Sequence, residues 1–189
     1  MPNLTDTDEE IAARVQGGDT ESFSLLMERY EEKMLRYARR FLFGFEDAED
    51  LVQEVFIKAY INIQGFNTRR RFSPWLYRIA HNEFLNAIKK RRHAPLLFFD
   101  PDTIFPHPVS SDRADRDFNE KELRAVLEEC LHDLDPKYRE PLVLYFFEEL
   151  NYQQISDIME LPVSTVGVRL KRGKEMLRKV YKKLHPFYE

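Results

Sequence analysis

Cysteine is almost absent from this chain. A single residue, Cys130, among 189 leaves no intrachain disulfide and no cysteine zinc site to consider. The five histidines, at positions 81, 93, 107, 132 and 185, are scattered without HExxH or similar spacing, so no metal and no other cofactor is expected. Long apolar runs are missing as well. No stretch approaches the roughly 18 residues of a membrane helix, so no membrane insertion is expected. The acidic opening MPNLTDTDEE lacks the basic and then apolar pattern of a secretory signal, which makes a cytoplasmic protein the expectation. Strong net charge is absent too. The formal value is −4, so nucleic-acid binding has to come from local clustering and not from the average.

Alternation with a period of two is also missing, and almost every segment repeats apolar residues at three and four. From Thr20 to Phe43 the stripe is Phe23, Leu26, Met27, Tyr30, Met34, Tyr37 and Phe41, with Asp19 as its N-cap. A second helix is expected from Glu46 to Gln64, its inward face Ala48, Leu51, Val52, Val55, Phe56, Ala59, Tyr60 and Ile63. Gly65-Phe66-Asn67-Thr68 breaks it. Ser73-Pro74 starts a third helix, with the proline at a first helical position, which carries Leu76, Ile79, Ala80 and Ile88 into the basic run Lys89 to Arg92. Between about Ala94 and Asp117 the character changes to prolines (95, 101, 106, 108) and aspartates (100, 102, 112, 115, 117), too long for a loop inside one domain. Helices resume at about Phe118 to Leu134. Another starts at Asp135-Pro136 and reaches about Glu149, with Pro141 expected to kink it. The expected fold is therefore all-α. Two small helical domains, 1–94 and 118–189, are joined by a flexible acidic linker at 95–117.

The end of the chain carries the strongest functional signal. Residues 151–183 read as a short amphipathic helix, a tight turn at LPVS and a second, basic helix, the pattern of a DNA-binding helix-turn-helix. From Arg169 to Lys183 there are eight basic residues against one acid, Glu175, while Val166, Leu170, Met176 or Leu177, and Val180 form an apolar face. A charge run alone is usually a solvated face. Behind a helix and a tight turn, it is placed to contact phosphates and base edges.

Two further sets carry chemistry. Arg69, Arg70, Arg71 and Arg78 with Lys89 to Arg92 interleave with Phe66, Phe72, Trp75, Tyr77 and His81, which suits single-stranded or melting DNA, cations holding the backbone and rings stacking on bases. The plainer reading makes Phe72, Trp75 and Tyr77 ordinary core. The third set is five acids within nine positions, Glu46 to Glu54, which a helix macrodipole alone accounts for. No histidine or nucleophile accompanies them, so an enzyme is not expected.

The strings AEDLVQEVFIKAY and GFN…RRRFSPWLYRIAHNEFLNAIKKRR, the terminal helix-turn-helix and the start EEIAARVQGGDTESFSLLMERY closely resemble bacterial RNA polymerase sigma factors of the extracytoplasmic-function (group IV) type. The resemblance spans nearly the whole chain. It implies that Asp47, Asp50, Leu51, Gln53, Glu54 and Phe56 dock on the clamp helices of the polymerase largest subunit, with the flap as a further contact. It implies that the loop Phe66, Asn67, Arg69, Arg70, Arg71 and Phe72 captures a flipped base of the −10 element. Arg78, His81, Asn82, Lys89, Arg91 and Arg92 match the helix that recognises and melts that element. Ser164, Thr165, Arg169, Lys171, Arg172 and Lys174 match −35 contacts. The implied partners are core polymerase, promoter DNA and an anti-sigma factor, and the linker resembles those that thread the RNA channel. Three positions depart from the family pattern: Glu160 stands where Gly is usual, Ser156 where Ala is usual, and Gly167 where a DNA-contacting Lys is usual. Glu160 and Gly167 leave room for a sigma mimic that occupies an anti-sigma factor. A plain dimeric repressor would not account for the first domain.

Overall fold

The structure is a computed structural model and describes residues 6–42, 47–93, 128 and 130–184. The expected linker at 95–117, the acid Glu46 and most of the helix expected from Phe118 lie outside the described residues, as does the side chain of Arg92. The described chain is all helical. Its helices are α1 (Asp8–Gln16), α2 (Phe23–Phe41), α3 (Ala48–Asn62), α4 (Phe72–His93), α5 (Pro136–Phe146), α6 (Tyr152–Met159) and α7 (Val163–Leu184).

The helix α1 was not anticipated, although its signals are local. Thr7 and Glu10 form a capping box, the Glu10 amide donating to Thr7 Oγ1 at 3.2 Å and the Thr7 amide to Glu10 Oε2 at 2.8 Å. Three acids favour the first turn, and Ile11, Ala12 and Val15 are buried along one side. Gly18, at φ 104°, turns the chain out of the helix in a conformation glycine adopts freely. Asp19 does act as a cap, but of a 3-10 turn at Thr20–Ser22 that leads into α2.

The stripe expected on α2 is buried from Phe23 to Phe41 except at Met27, which is exposed. On α3 the inward face is as expected apart from Leu51, half-buried, and Tyr60, exposed. The third helix starts two residues before Pro74, which therefore sits at the third helical position, still within the turn whose N–H groups have no partner. Pro136 opens α5 behind an Asp135 cap, and Pro141 lies buried inside a helix that continues to Phe146.

The helix-turn-helix is shaped by its caps. Asn151 and Gln154 form a second capping box at the start of α6. Glu160 ends α6 in the left-handed region (φ 52°, ψ 44°), the conformation its place in the turn requires. Glu160-Leu161-Pro162 then make the turn, one residue shorter and earlier than LPVS, and the Ser156 hydroxyl donates to the Leu161 carbonyl at 2.5 Å. Val166 and Leu170 seat α7, joined by Leu177 and Val180, while Met176 is exposed. Gly173 lies where α7 meets α5. A Cβ there would fall 3.0 Å from Leu142 Cδ1 and 3.2 Å from the Tyr138 carbonyl, so this crossing is tight and any larger residue would have to push its neighbours back.

One hydrophobic cluster runs through both halves of the sequence, from Ile11 to Leu170. The seam between them is polar at its centre. Glu140 of α5 is buried and accepts from the Tyr37 hydroxyl of α2 at 2.6 Å and from His81 Nδ1 of α4 at 2.5 Å. Arg139 donates to the Phe41, His132 and Leu134 carbonyls at 2.8–2.9 Å, and Arg40 lies over the Phe147 ring, 4.4 Å from its centroid. Two substitutions should move stability in opposite directions. Gly173→Ala is expected to cost about 1–3 kcal/mol through overpacking. Glu160→Gly is expected to gain about 1 kcal/mol by removing the left-handed penalty. Thermal unfolding measures both, and a neutral Gly173→Ala would refute the tight crossing.

Candidate nucleic-acid interface

The loop between α3 and α4 is held at both ends by α1. Gln16 Nε2 donates to the Ile63 and Phe66 carbonyls, each at 2.7 Å, and Glu9 Oε1 accepts from the Phe72 amide at 2.8 Å. Between these anchors Asn67 organises a turn, accepting from the Arg69 amide on its side chain and from the Arg70 amide on its backbone. Arg69, Arg70 and Arg71 project from it, all exposed. Phe66 and Phe72, expected to meet bases, are instead buried. Their rings pack 5.5 Å apart and close on Trp75 at 5.0 and 5.4 Å, with Tyr30 behind Phe72. This aromatic group forms the floor beneath the arginines. A hollow of about 670 Å³ opens above it, lined by Asn67, Arg70, Arg71, Trp75 and Arg78 on one side and by Gln154 and Asp157 of α6 on the other.

Along α4 the expected residues divide. Asn82, Lys89 and Arg91 are exposed and Arg78 is half-buried, 3.9 Å from Glu160 of the helix-turn-helix. His81 is buried against Glu140, so α5 and not solvent receives its ring. On α7 the residues Ser164, Lys171 and Arg172 are exposed, while Thr165, Arg169 and Lys174 are half-buried. Lys174 sits about 5 Å over the Tyr145 and Phe146 rings. Gly167 lies 3.7 Å (by its would-be Cβ) from Tyr152, ordinary contact distance, so packing does not demand glycine there.

The acidic face of α3 is presented as expected at Asp47, Asp50, Gln53 and Glu54, with Leu51 half-buried. Phe56 points the other way and is buried. Beside that face a groove of about 680 Å³ runs between α2 and α3, lined by Met27, Leu35, Ile57 and Tyr60 and edged by Glu31 and Glu49. Its apolar walls account for the exposure of Met27 and Tyr60.

Two family models match these two halves: Sigma-70 region 2 over residues 26–94 and Sigma-70, region 4 over residues 124–177. The ECF RNA polymerase sigma factor SigW of Bacillus subtilis (strain 168) is 34% identical over 174 residues, covering 88% of this chain and 92% of that protein. The chain belongs to the ECF sigma factors of RNA polymerase. The ECF sigma-E factor of Haemophilus influenzae is 33% identical over 177 residues, covering 90% and 93%. Two solved structures share the fold at 22% identity. One is CnrH in complex with the cytosolic domain of CnrY (TM-score 0.69, covering 94% of this chain and 99% of that one). The other is the sigma factor RpoE in complex with the anti-sigma factor NepR from Bartonella quintana (TM-score 0.66, 86% and 98%). As an ECF sigma factor the protein is a DNA-binding initiation factor that directs RNA polymerase to promoters.

In this sigma factor the helix-turn-helix lies on α4, the helix expected to read the −10 element. Sequence reasoning missed the residues that hold it there: Tyr37, Arg40, Tyr77, Arg139, Glu140 and Glu148. Spacing places Tyr37 and Tyr77 but not their polar partners, and nothing local marks the contacts that cross between the halves, such as Arg139 to the Phe41 carbonyl. Glu148 is the weak point of the seam in electrostatic terms, a buried carboxylate with one oxygen lacking a hydrogen-bond partner. Its Oε2 accepts from the Tyr77 hydroxyl at 2.5 Å, but its Oε1 lies 4.0 Å from Arg40 Nη1, beyond hydrogen-bond reach. Burial raises its carboxyl above the ordinary glutamate range, against the pull of Tyr77, Arg40, Arg36 and Lys33. Desolvation likewise raises Tyr77 and Tyr37, both also facing carboxylates.

A raised carboxyl means that the folded protein holds this proton more tightly than the unfolded chain. Its stabilising contribution is complete below the ordinary glutamate value and is lost as pH rises through the folded-state value. Glu148→Gln is therefore expected to stabilise the fold at neutral pH and to raise the unfolding midpoint. It should also flatten the fall in stability with rising pH. A variant less stable than the parent at neutral pH would count against a net cost for this buried charge.

Proposed function

We propose that residues 1–94 dock on core polymerase and open the −10 element, that 95–117 tether the halves, and that 118–189 read the −35 element. The observation that carries this is the separation of three surfaces of different chemistry on one chain. The acidic face of α3 suits a basic helical partner, the clamp helices of the largest subunit, through Asp47, Asp50, Leu51, Gln53 and Glu54. Phe56 supports that face from the core. Arg70, Arg71 and Arg78 around Trp75 bring the positive charge that an unpaired base and its phosphates need, on the side of the hollow that stays when α6 lifts away. Phe66 and Phe72 serve as its floor and not as free stacking rings. Asn82, Lys89, Arg91 and Arg92 continue the −10 surface along α4, and His81 joins it when the helix-turn-helix lifts away.

On α7, Ser164, Thr165, Arg169, Lys171, Arg172 and Lys174 contact −35 bases and phosphates, with the flap of polymerase holding this half in place. Unstacking costs a few kcal/mol per base and is offset by such contacts, so no nucleotide hydrolysis by this chain is needed. The anti-sigma factor remains a proposed partner, by analogy with the Bartonella protein's complex, and a stress or envelope regulon and a cytoplasmic location are part of the same proposal. No described helix is long and apolar enough to cross a membrane. A sigma mimic keeps only Gly167 in its favour; against it, Glu160 adopts the left-handed cap its place requires and the loop arginines are exposed.

Run-off transcription with core polymerase on a pool of genomic promoter fragments tests the whole assignment. Specific new transcripts are expected, and neither transcripts nor core binding would favour the mimic. Within it, Asp50→Lys with Glu54→Lys is expected to abolish capture by core while the unfolding midpoint stays unchanged; unimpaired capture would sink the docking face. Lys171→Ala with Arg172→Ala is expected to lower the slope of log affinity against log salt on −35 duplexes by about two, one unit per lost phosphate contact. An unaltered slope would remove both from the phosphate contacts.

A further inference from the structure

We propose that Gln16 and Glu9 of α1 are positioning residues for promoter opening. They set the shape of the basic loop at 66–71 and so decide how well it holds an unpaired base. The proposal rests on the −10 role given to that loop above, and neither residue touches DNA in it.

By itself this loop has little to fix its shape. Three consecutive arginines repel one another, and the segment behind Gly65 has only the Asn67 turn, with its bonds from the Arg69 and Arg70 amides, to choose one conformation for them. Left alone it would be an ensemble, and a base would bind only the competent fraction of it. The structure removes that freedom from outside. At the entrance, the 3-10 turn Ile63–Gly65 is closed by the Phe66 amide donating to the Ile63 carbonyl at 3.0 Å, which leaves that oxygen a second lone pair. The Gln16 amide, with two N–H groups, reaches both the Ile63 and Phe66 carbonyls at 2.7 Å. Gln64 answers by donating to the Gln16 carbonyl at 3.3 Å. At the exit, Glu9 Oε1 accepts from the Phe72 amide, one of the unpaired N–H groups at the start of α4. Its negative charge also suits the positive end of that helix.

One helix therefore grips the loop at both ends, and α1 is itself anchored. Asp8 accepts from Arg29 at 2.7 Å and from the Tyr30 hydroxyl at 2.6 Å, and Arg14 pairs with Asp6. The side-chain chemistry is specific. A glutamate at 16 would set a third acceptor against two carbonyls, and an apolar side chain of the same length would remove the donor that ties the Phe66 carbonyl to the Ile63 turn, leaving Ile63 with the Phe66 amide alone. A glutamine at 9 keeps an acceptor for the Phe72 amide.

The test uses holoenzyme assembled from core polymerase and the full chain, on a promoter recovered by the run-off selection. Permanganate reactivity of −10 thymines gives the holoenzyme concentration at half-maximal opening. Gln16→Met is expected to raise it about five- to tenfold, the effect of losing about 1 kcal/mol or slightly more. Gln16→Glu should raise it further. Glu9→Ala should behave like Gln16→Met, and Glu9→Gln should recover most of the loss. Capture by core and binding of −35 duplexes should not change. In an Arg70→Ala, Arg71→Ala background Gln16→Met should add little, because its effect passes through those arginines.

If Gln16→Met and Glu9→Ala open promoters like the parent while the double arginine variant fails, the positioning role is overturned and the loop assignment survives. If the arginine variant also opens normally, the loop assignment falls and takes this proposal with it. Full additivity between Gln16→Met and the arginine changes would equally overturn the proposal, since the effect would then be on general stability. Should a Gln16 variant lose core binding through misfolding, the Glu9→Ala and Glu9→Gln pair decides alone.

Discussion

A carboxylate taken out of water has to be met by donors, and Glu140 is the carboxylate on which the assembly of this chain depends. It is almost fully buried, and its two donors come from helices in the other half of the sequence, Tyr37 on α2 and His81 on α4. A buried charge without such partners costs several kcal/mol. The requirement therefore works as a registration device: α5 has one position against α2 and α4 in which Glu140 is satisfied. Arg139, the next residue, adds a second condition by reaching the Phe41 carbonyl at the end of α2. Apolar burial around these two residues supplies most of the attraction, and the polar pair selects the arrangement.

That arrangement bears directly on promoter binding. The helix-turn-helix covers part of α4, and the hollow above Trp75 has α6 as one wall. The surfaces proposed for the −10 and −35 elements therefore cannot be spread along a duplex while the seam is closed. Docking on polymerase and binding to DNA have to supply the differential free energy that parts them, since a ligand shifts such an equilibrium only by as much as it prefers one state. A net charge of −4 acts in the same direction, keeping the nonspecific affinity of the free chain low.

Much of the fold was legible from spacing. The stripe on α2, the Asp135-Pro136 start of α5 and the basic face of α7 behave as their periods and caps foretell. The misreadings have physical causes. Met27 and Tyr60 fit a helical stripe but line a groove with no described segment over it, so period alone misplaced them. Phe66 looks like a stacking ring beside arginines, yet with Phe72, whose plainer reading as core holds, its burial builds a floor for those arginines. Phe56 belongs to a string that marks a docking face, but on a helix its neighbours in sequence point elsewhere. The helix α1 was missed although its capping box and acidic first turn are written in Thr7 to Glu10.

By itself the sequence determined what depends on near neighbours: helix periods, caps at Thr7, Asn151 and Asp135, the left-handed demand at position 160, and where charge of each sign gathers. It also carried the family strings that mark a sigma factor. Only the tertiary structure decided which groups meet across long separations. Tyr37 and Glu140 are 103 residues apart, Tyr77 and Glu148 are 71 apart, and Gln16 reaches a loop about 50 residues on. Such pairings leave no period in the chain. They depend on how whole helices settle against one another, where a buried polar atom accepts whichever donor the packing brings within 3 Å or so.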